Sequence, residues 1–207
     1  MKKAMAILAV EDQLSEAVSR RILDVCGIEV SQVLGLRGKG YLEKSANGLN
    51  QAAKALPIFM LTDLDSPNQC PPGLVRAWIK GEKHSKFFLR VAVMEVESWI
   101  MADRAGLAQF LSIPVHRIPQ DTDAIPYAKE FPVSLARLSR KTRLREDIVP
   151  QPGSTSKVGP LYNSSLAGFV SSSWNFRLAA HASVSLKRTL DRLRAFQNAP
   201  DPQDDTL

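Results

Sequence analysis

The chain has 207 residues, of which 44% are apolar and 23% charged, and carries a net charge of +6. That length fills one hydrophobic core and leaves enough sequence for a small extension, and the composition is that of a globular chain, which excludes a disordered one. No stretch approaches the ~18 uninterrupted apolar residues of a membrane span, and the apolar run after Lys2 and Lys3 stops at Glu11 without a signal-peptide cleavage site, so a cytoplasmic protein is expected.

In chain order, residues 4–10 read as a buried strand. Residues 13–26 read as a helix, with Leu14, Ala17, Val18, Ile22 and Val25 at helical spacing and Gly27 as its stop. Residues 29–36 give a short strand, followed by Arg37-Gly38-Lys39-Gly40 as a flexible basic loop. A helix is expected over 45–56, ended by Pro57, and a strand over 57–62. Pro71 and Pro72 suit the start of a helix running to residue 80. Residues 87–94 form a fourth strand, and 98–104 a helix with Trp99 and Ile100 packed inward. Strands alternating with helices argue for parallel crossovers and an α/β fold, Rossmann-like, with a mainly parallel central sheet flanked by helices.

Beyond residue 110, Pro114, Pro119, Pro126 and Pro132 divide the chain into loops, where Asp121 and Asp123 are expected to face solvent. A basic helix over 133–144, a loop over 150–160 and helices near 161–170, 174–181 and 184–195 complete the reading. The expected organisation is an α/β core over 1–109, a mostly helical basic extension packed on it over 110–198, and a flexible tail over 199–207. Trp78, Trp99 and Trp174 read as core anchors. Cys26 and Cys70 are too few for a cysteine–zinc cluster and read as reduced thiols, while His84, His116 and His181 lack zinc-ligand spacing.

Acidic residues stand where three of the apolar strands end. Glu11 follows the first, Asp63-Leu64-Asp65 the third, and Glu95-Val96-Glu97 the fourth. In an open α/β sheet those exits share the edge that carries chemistry. Carboxylates gathered there are costly unless a cation joins them, and an all-oxygen set favours Mg2+ or Mn2+. Glu11, Asp63, Asp65 and Glu97 are the expected ligands, with Glu95 as an accessory acid. Asp63 and Asp65 stand two apart, so on a continuing strand they project to one side. A bound cation neutralises the charge that builds up in phosphodiester hydrolysis and lowers the pKa of attacking water. Glu11 either relays a proton or completes the metal shell. Each acid also has a plainer reading as a helix cap or turn residue.

The positive charge gathers in the C-terminal half, in 137–145 and 187–194. Arg140, Lys141 and Arg143, with Arg37, Lys39 and Lys157, are candidate contacts to a DNA or RNA backbone, which would make binding salt-sensitive and weakly sequence-selective. The same residues also read as solvated surface. Ser154 to Lys157 suits an anion-binding turn but lacks the spacing of a P-loop.

Together, Glu11, the Asp63-Leu64-Asp65 motif and Glu95-Val96-Glu97-Ser98-Trp99 resemble the Toprim superfamily of topoisomerases, primases and small nucleases. The likeness is closest to the bacterial Toprim-like 4276 domain of unknown function and to the nuclease domains of overcoming-lysogenization-defect proteins. Leu144-Arg145-Glu146-Asp147, Lys157-Val158-Gly159-Pro160 and Tyr162-Asn163 extend it over nearly the whole chain. The resemblance implies a Toprim-like catalytic core, Glu11 as general base or acid, Asp63 and Asp65 as the metal pair, and Glu97 as an accessory acid. Asp12 stands where the family has Gly, and Glu16 matches an acidic residue five positions after the glutamate. The implied activity is nucleic-acid cleavage in a defence or mobile-element setting, with a protein partner from such a system and a homodimer as further expectations. Two other readings remain open: a non-catalytic nucleic-acid-binding or partner-regulating module, and a haloacid-dehalogenase-like phosphatase using the Asp-x-Asp pair as nucleophile and acid.

Overall fold

The computed structural model describes residues 4–198; the expected tail over 199–207 lies outside them. Four strands form the sheet: β1 (Ala4–Val10), β2 (Ile28–Gly35), β3 (Ile58–Asp63) and β4 (Phe87–Ala92). They run parallel in the order β2-β1-β3-β4. The helices between them are α1 (Gln13–Val25), α2 (Lys39–Ala52) and α3 (Pro71–Trp78). This is the expected α/β architecture, consistent with a Rossmann-like fold. β1 and β3 are neighbours although β2 lies between them in sequence. The chain therefore reverses its direction of travel across the sheet between their C-terminal ends, the place where such sheets open a crevice.

Side-chain alternation divides the interior into two layers. Leu8, Val10, Phe59, Leu61, Phe88 and Ala92 face α1 and the later helices, whereas Ala9, Ile58, Met60, Phe87, Leu89 and Val91 face α2 and α3. Both faces of the sheet are thus covered, as buried parallel strands require.

The second half of the chain adds α4 (Val96–Ala102), α5 (Arg104–Leu111), a short 3-10 turn at Val115–Arg117, α6 (Phe131–Arg137), α7 (Thr142–Ile148), α8 (Tyr162–Ser172), α9 (Phe176–Ala182) and α10 (Val184–Gln197). These helices share one continuous apolar cluster with α1 and the sheet, anchored by Trp99 and Trp174. Trp78 is buried in the opposite layer. No helix among the described residues is long and apolar enough to cross a membrane.

Two element boundaries and the placement of one acid depart from expectation. α2 begins at Lys39, six residues before the expected start, because only Gly38 needs glycine's freedom (φ 78°) and Gly40 continues into the helix. The helix expected over 133–144 is two short helices. Ser139 separates them, its hydroxyl donating to the Leu111 carbonyl and accepting from the Lys141 amide. Asp123 does not face solvent as Asp121 does. It is half-buried against the Ser183 hydroxyl at 3.0 Å, and burial raises its carboxyl to about 6.

Gly35 ends β2 beside Val10 with φ 101°, and a Cβ there would run into the Val10 carbonyl oxygen. Gly38 has positive φ but open space around it. Gly35→Ala is expected to cost roughly 2 kcal/mol or more and Gly38→Ala distinctly less, read from urea midpoints. Equal losses would contradict the close approach of β2 to β1.

Candidate functional site

β1 and β3 deliver Glu11 and Asp63 to adjoining exits. One Glu11 carboxylate oxygen, Oε1, accepts hydrogen bonds from the Thr62 hydroxyl at 2.5 Å and the Asp63 amide at 3.0 Å. Burial raises the Glu11 pKa, and these two donors hold it back. Asp63 Oδ1 in turn accepts the Val96 amide at 2.8 Å, which ties β3 to the first turn of α4. Burial pushes Asp63 well above the usual carboxylate range, and the charges of Glu97, Glu11, Asp65 and Asp12 push in the same direction.

Asp65 is held differently. β3 ends at Asp63, Leu64 turns into the core, and Asp65 takes a left-handed backbone with φ 60°, a conformation Asp tolerates better than most residues. The expectation that both aspartates project to one side of a continuing strand therefore fails. The Asp65 carboxylate accepts from Lys39 Nζ at 2.7 Å, and the same ammonium donates to the Asp63 and Leu64 carbonyls at 2.7 and 3.2 Å. Lys39 reaches this position because α2 starts early and points its first turn at the strand exits.

Glu97 lies in the first turn of α4 and is 2% exposed. Burial raises its carboxyl to about 7, with Lys129 opposing and Glu95 reinforcing the rise. The Tyr162 hydroxyl lies 3.0 Å from Glu97 Oε1 and 2.8 Å from the Lys129 carbonyl. A phenol has one proton, so when Tyr162 donates to the carbonyl the second contact needs the proton of Glu97. Glu95 stands just before α4, and its side chain, rather than capping that helix, accepts the Lys129 amide at 2.5 Å. Burial lowers the Lys129 ammonium, but the charges of Glu97, Asp12, Asp63 and Glu95 outweigh that and raise it.

Glu11, Asp12, Asp63, Asp65, Glu95 and Glu97 thus form one electrostatic unit, with Lys39 and Lys129 as its counter-charges. Asp12 adopts extended backbone (φ −149°) and caps α1 through the Ser15 amide at 2.9 Å, so its Cβ is not strained there. Glu16 stays outside the unit and pairs with Arg20 at 2.8 Å. Among the described residues no group of three or more His, Cys, Asp or Glu side chains is already arranged to hold a metal ion. The donor chemistry nonetheless fits a hard cation: carboxylate oxygens, buried at Glu97 and half-buried at Glu11 and Asp63, whose mutual repulsion a divalent charge would relieve. Cys26 is buried and Cys70 exposed, and both are free.

The expected nucleic-acid contacts scatter. Lys39 sits inside the acidic centre and Arg37 stacks on Tyr41 at 5.4 Å. Lys157, exposed, pairs with Glu130 at 2.7 Å and feels the charge of Glu95 as well. Lys141 donates to the Phe110 carbonyl, Arg143 pairs with Asp147, and Arg140 is exposed beside them. Lys129 and Thr62 escaped the sequence reading. The pattern marks Thr62 only as a strand residue, and Lys129 lies in a proline-divided stretch that offers no motif. Compared with family models, curated proteins and solved structures, the chain gives no match. Fold and site therefore define a class only: a Rossmann-like α/β protein with a carboxylate-rich centre at its topological switch point.

The sign of the pH dependence follows from the raised carboxyls. Between the ordinary glutamate value of 4.5 and about 7, folded Glu97 binds more proton than unfolded Glu97 does. Stability is therefore expected to fall as pH rises through that window, with Glu11 and Asp63 adding to the fall in the same direction. Glu97→Gln is expected to flatten the profile by a few kcal/mol, read from urea midpoints between pH 4.5 and 8. A profile that rises over this window would contradict the assignment.

Proposed function

We propose that the protein is a divalent-metal-dependent phosphodiester hydrolase acting on DNA or RNA. The observation that carries this reading is the meeting of Glu11, Asp63 and Glu97 at the β1–β3 switch point, all with raised pKa values. Such a set is costly as it stands and lies where α/β sheets bind substrate. Asp63 and Glu97 would hold Mg2+ or Mn2+, with Glu11 and Asp65 beside them. The cation would supply charge neutralisation and a lowered pKa for attacking water. The resemblance of Glu11 and the Asp-x-Asp pair to the Toprim nucleases supports the same activity.

The chain's own residues have separable tasks in this reading. Thr62 and the Asp63 amide fix the rotamer of Glu11 through Oε1, which leaves Oε2 to act as a proton acceptor in this reading. The Val96 amide holds Asp63 in place. Lys39 anchors Asp65 and leaves a positive charge at the mouth for a substrate phosphate. Lys157 and Arg37, on exposed segments, are candidates for contacts along the strand, and Arg140, Lys141 and Arg143 for contacts further away.

The ion pairs of Lys39 and Lys129 support a second reading, in which these ammoniums balance the acids permanently and the protein binds nucleic acid or a partner without cleaving. The two readings differ in one assay. With Mn2+, wild-type protein is expected to nick plasmid DNA or trim short DNA or RNA strands, and the Asp63→Asn/Asp65→Asn variant to lose at least ~100-fold in rate. Binding without cleavage, unaffected by that variant but lost on neutralising Arg140, Lys141 and Arg143, would favour the second.

A further inference from the structure

A second charged feature lies at the edge of the sheet, away from the acidic centre. β4 is the outermost strand, and between α3 and α10 it borders a cleft of about 640 Å³. None of the acidic-centre carboxylates lines it. One wall is apolar, made by Pro72 and Val75 of α3 with Val91 and Val93 at the end of β4. The cations Lys83, Arg90 and Arg188 line the same space, and so does Arg76 of α3.

Two of these cations, Lys83 and Arg90, are held by neutral groups. Arg90 donates its Nε to the Thr189 hydroxyl at 3.1 Å, and Lys83 Nζ donates to the Phe87 carbonyl at 2.8 Å. Arg192, just beyond the lining, donates to the Ser85 carbonyl and stacks on Phe88. Among the described residues no carboxylate forms an ion pair with Arg76, Lys83, Arg90, Arg188 or Arg192. Asp123, the one acid in the wall, is turned to the Ser183 hydroxyl. Burial and then the neighbouring guanidiniums lower both Lys83 and Arg90. Like charges packed this closely are stabilised by an anion, and guanidinium forks match phosphate oxygens in particular.

We propose that this cleft binds a phosphorylated organic molecule of mononucleotide size, its phosphate on Lys83, Arg90 and Arg188 and its body on the apolar wall of α3 and β4. The volume falls in the range of ~300–1,000 Å³ usual for small-ligand sites, and the pairing of an apolar wall with a few convergent charged groups is their usual make-up. The site does not depend on the hydrolase reading, since it shares no residue with the acidic centre.

Calorimetric titration of the full chain with AMP, adenosine and inorganic phosphate tests the assignment. AMP is expected to bind with a Kd under ~1 mM, and adenosine and phosphate each at least ~10-fold more weakly, because each fills only one half of the cleft. Arg188→Glu and Lys83→Glu, both at exposed positions, should each weaken AMP by at least ~10-fold while the unfolding midpoint is retained. Asp63→Asn should bind AMP as wild type does, which separates this site from the acidic centre. Failure of AMP to bind, or AMP affinity unchanged in both charge-reversal variants, would overturn the proposal. So would a Glu-rich peptide that binds more tightly than AMP through the same cations, which would assign the β4 edge to strand addition.

Discussion

The carboxylate of Glu11 bridges two strands that are distant in sequence and adjacent in the sheet. By accepting from the Thr62 hydroxyl and the Asp63 amide, it locks the exit of β1 to the exit of β3 at the switch point. Asp63 then passes the constraint on to the start of α4 through the Val96 amide. Each link satisfies a backbone donor that the end of a strand or helix would otherwise leave open. The same links bring the acids of three strand exits into one field, where burial and repulsion raise Glu11, Asp63 and Glu97 together. Structure and chemistry therefore share one cause: these carboxylates are placed as structural acceptors, and that placement leaves their charge poorly solvated.

The helices of the second half complete the centre. Tyr162 at the start of α8 and Lys129 before α6 reach over Glu97, and Lys129 meets the field of Asp12 and Glu95 as well. The 110–198 segment is thus part of the same cluster as the sheet, joined to it through a common apolar core. Lys39 closes the opposite side. Two ammonium groups against six acids leave the centre short of positive charge, the condition in which a divalent cation is most effective.

The sheet was legible because each strand is an apolar run bounded by helix or turn signals, and residues 4–10, 28–35, 58–63 and 87–92 fall within a residue or two of the sequence reading. Glu11, Asp63 and Glu97 were legible as the residues that follow those runs. Asp65 was only half legible. The period-two rule holds while a strand lasts, and β3 ends at Asp63, two residues short of Asp65. Lys39 was hidden by Gly38 and Gly40, which suggest a loop although only the first breaks the backbone. Lys129 had no local signal, since its role arises from a fold-back over more than thirty residues. The cations at the β4 edge were invisible for a related reason: Lys83, Arg90 and Arg188 gather only when α10 returns to the sheet.

The central claim is that the acids at the switch point form a cation site. Anomalous diffraction from crystals soaked in Mn2+ tests it without presuming a substrate. The account predicts a peak within ~2.2 Å of carboxylate oxygens of Asp63 and Glu97, with Glu11 adjacent and Lys129 displaced from the field it now balances. Manganese bound elsewhere on the protein, with the switch-point acids left to Lys39 and Lys129 alone, would contradict it.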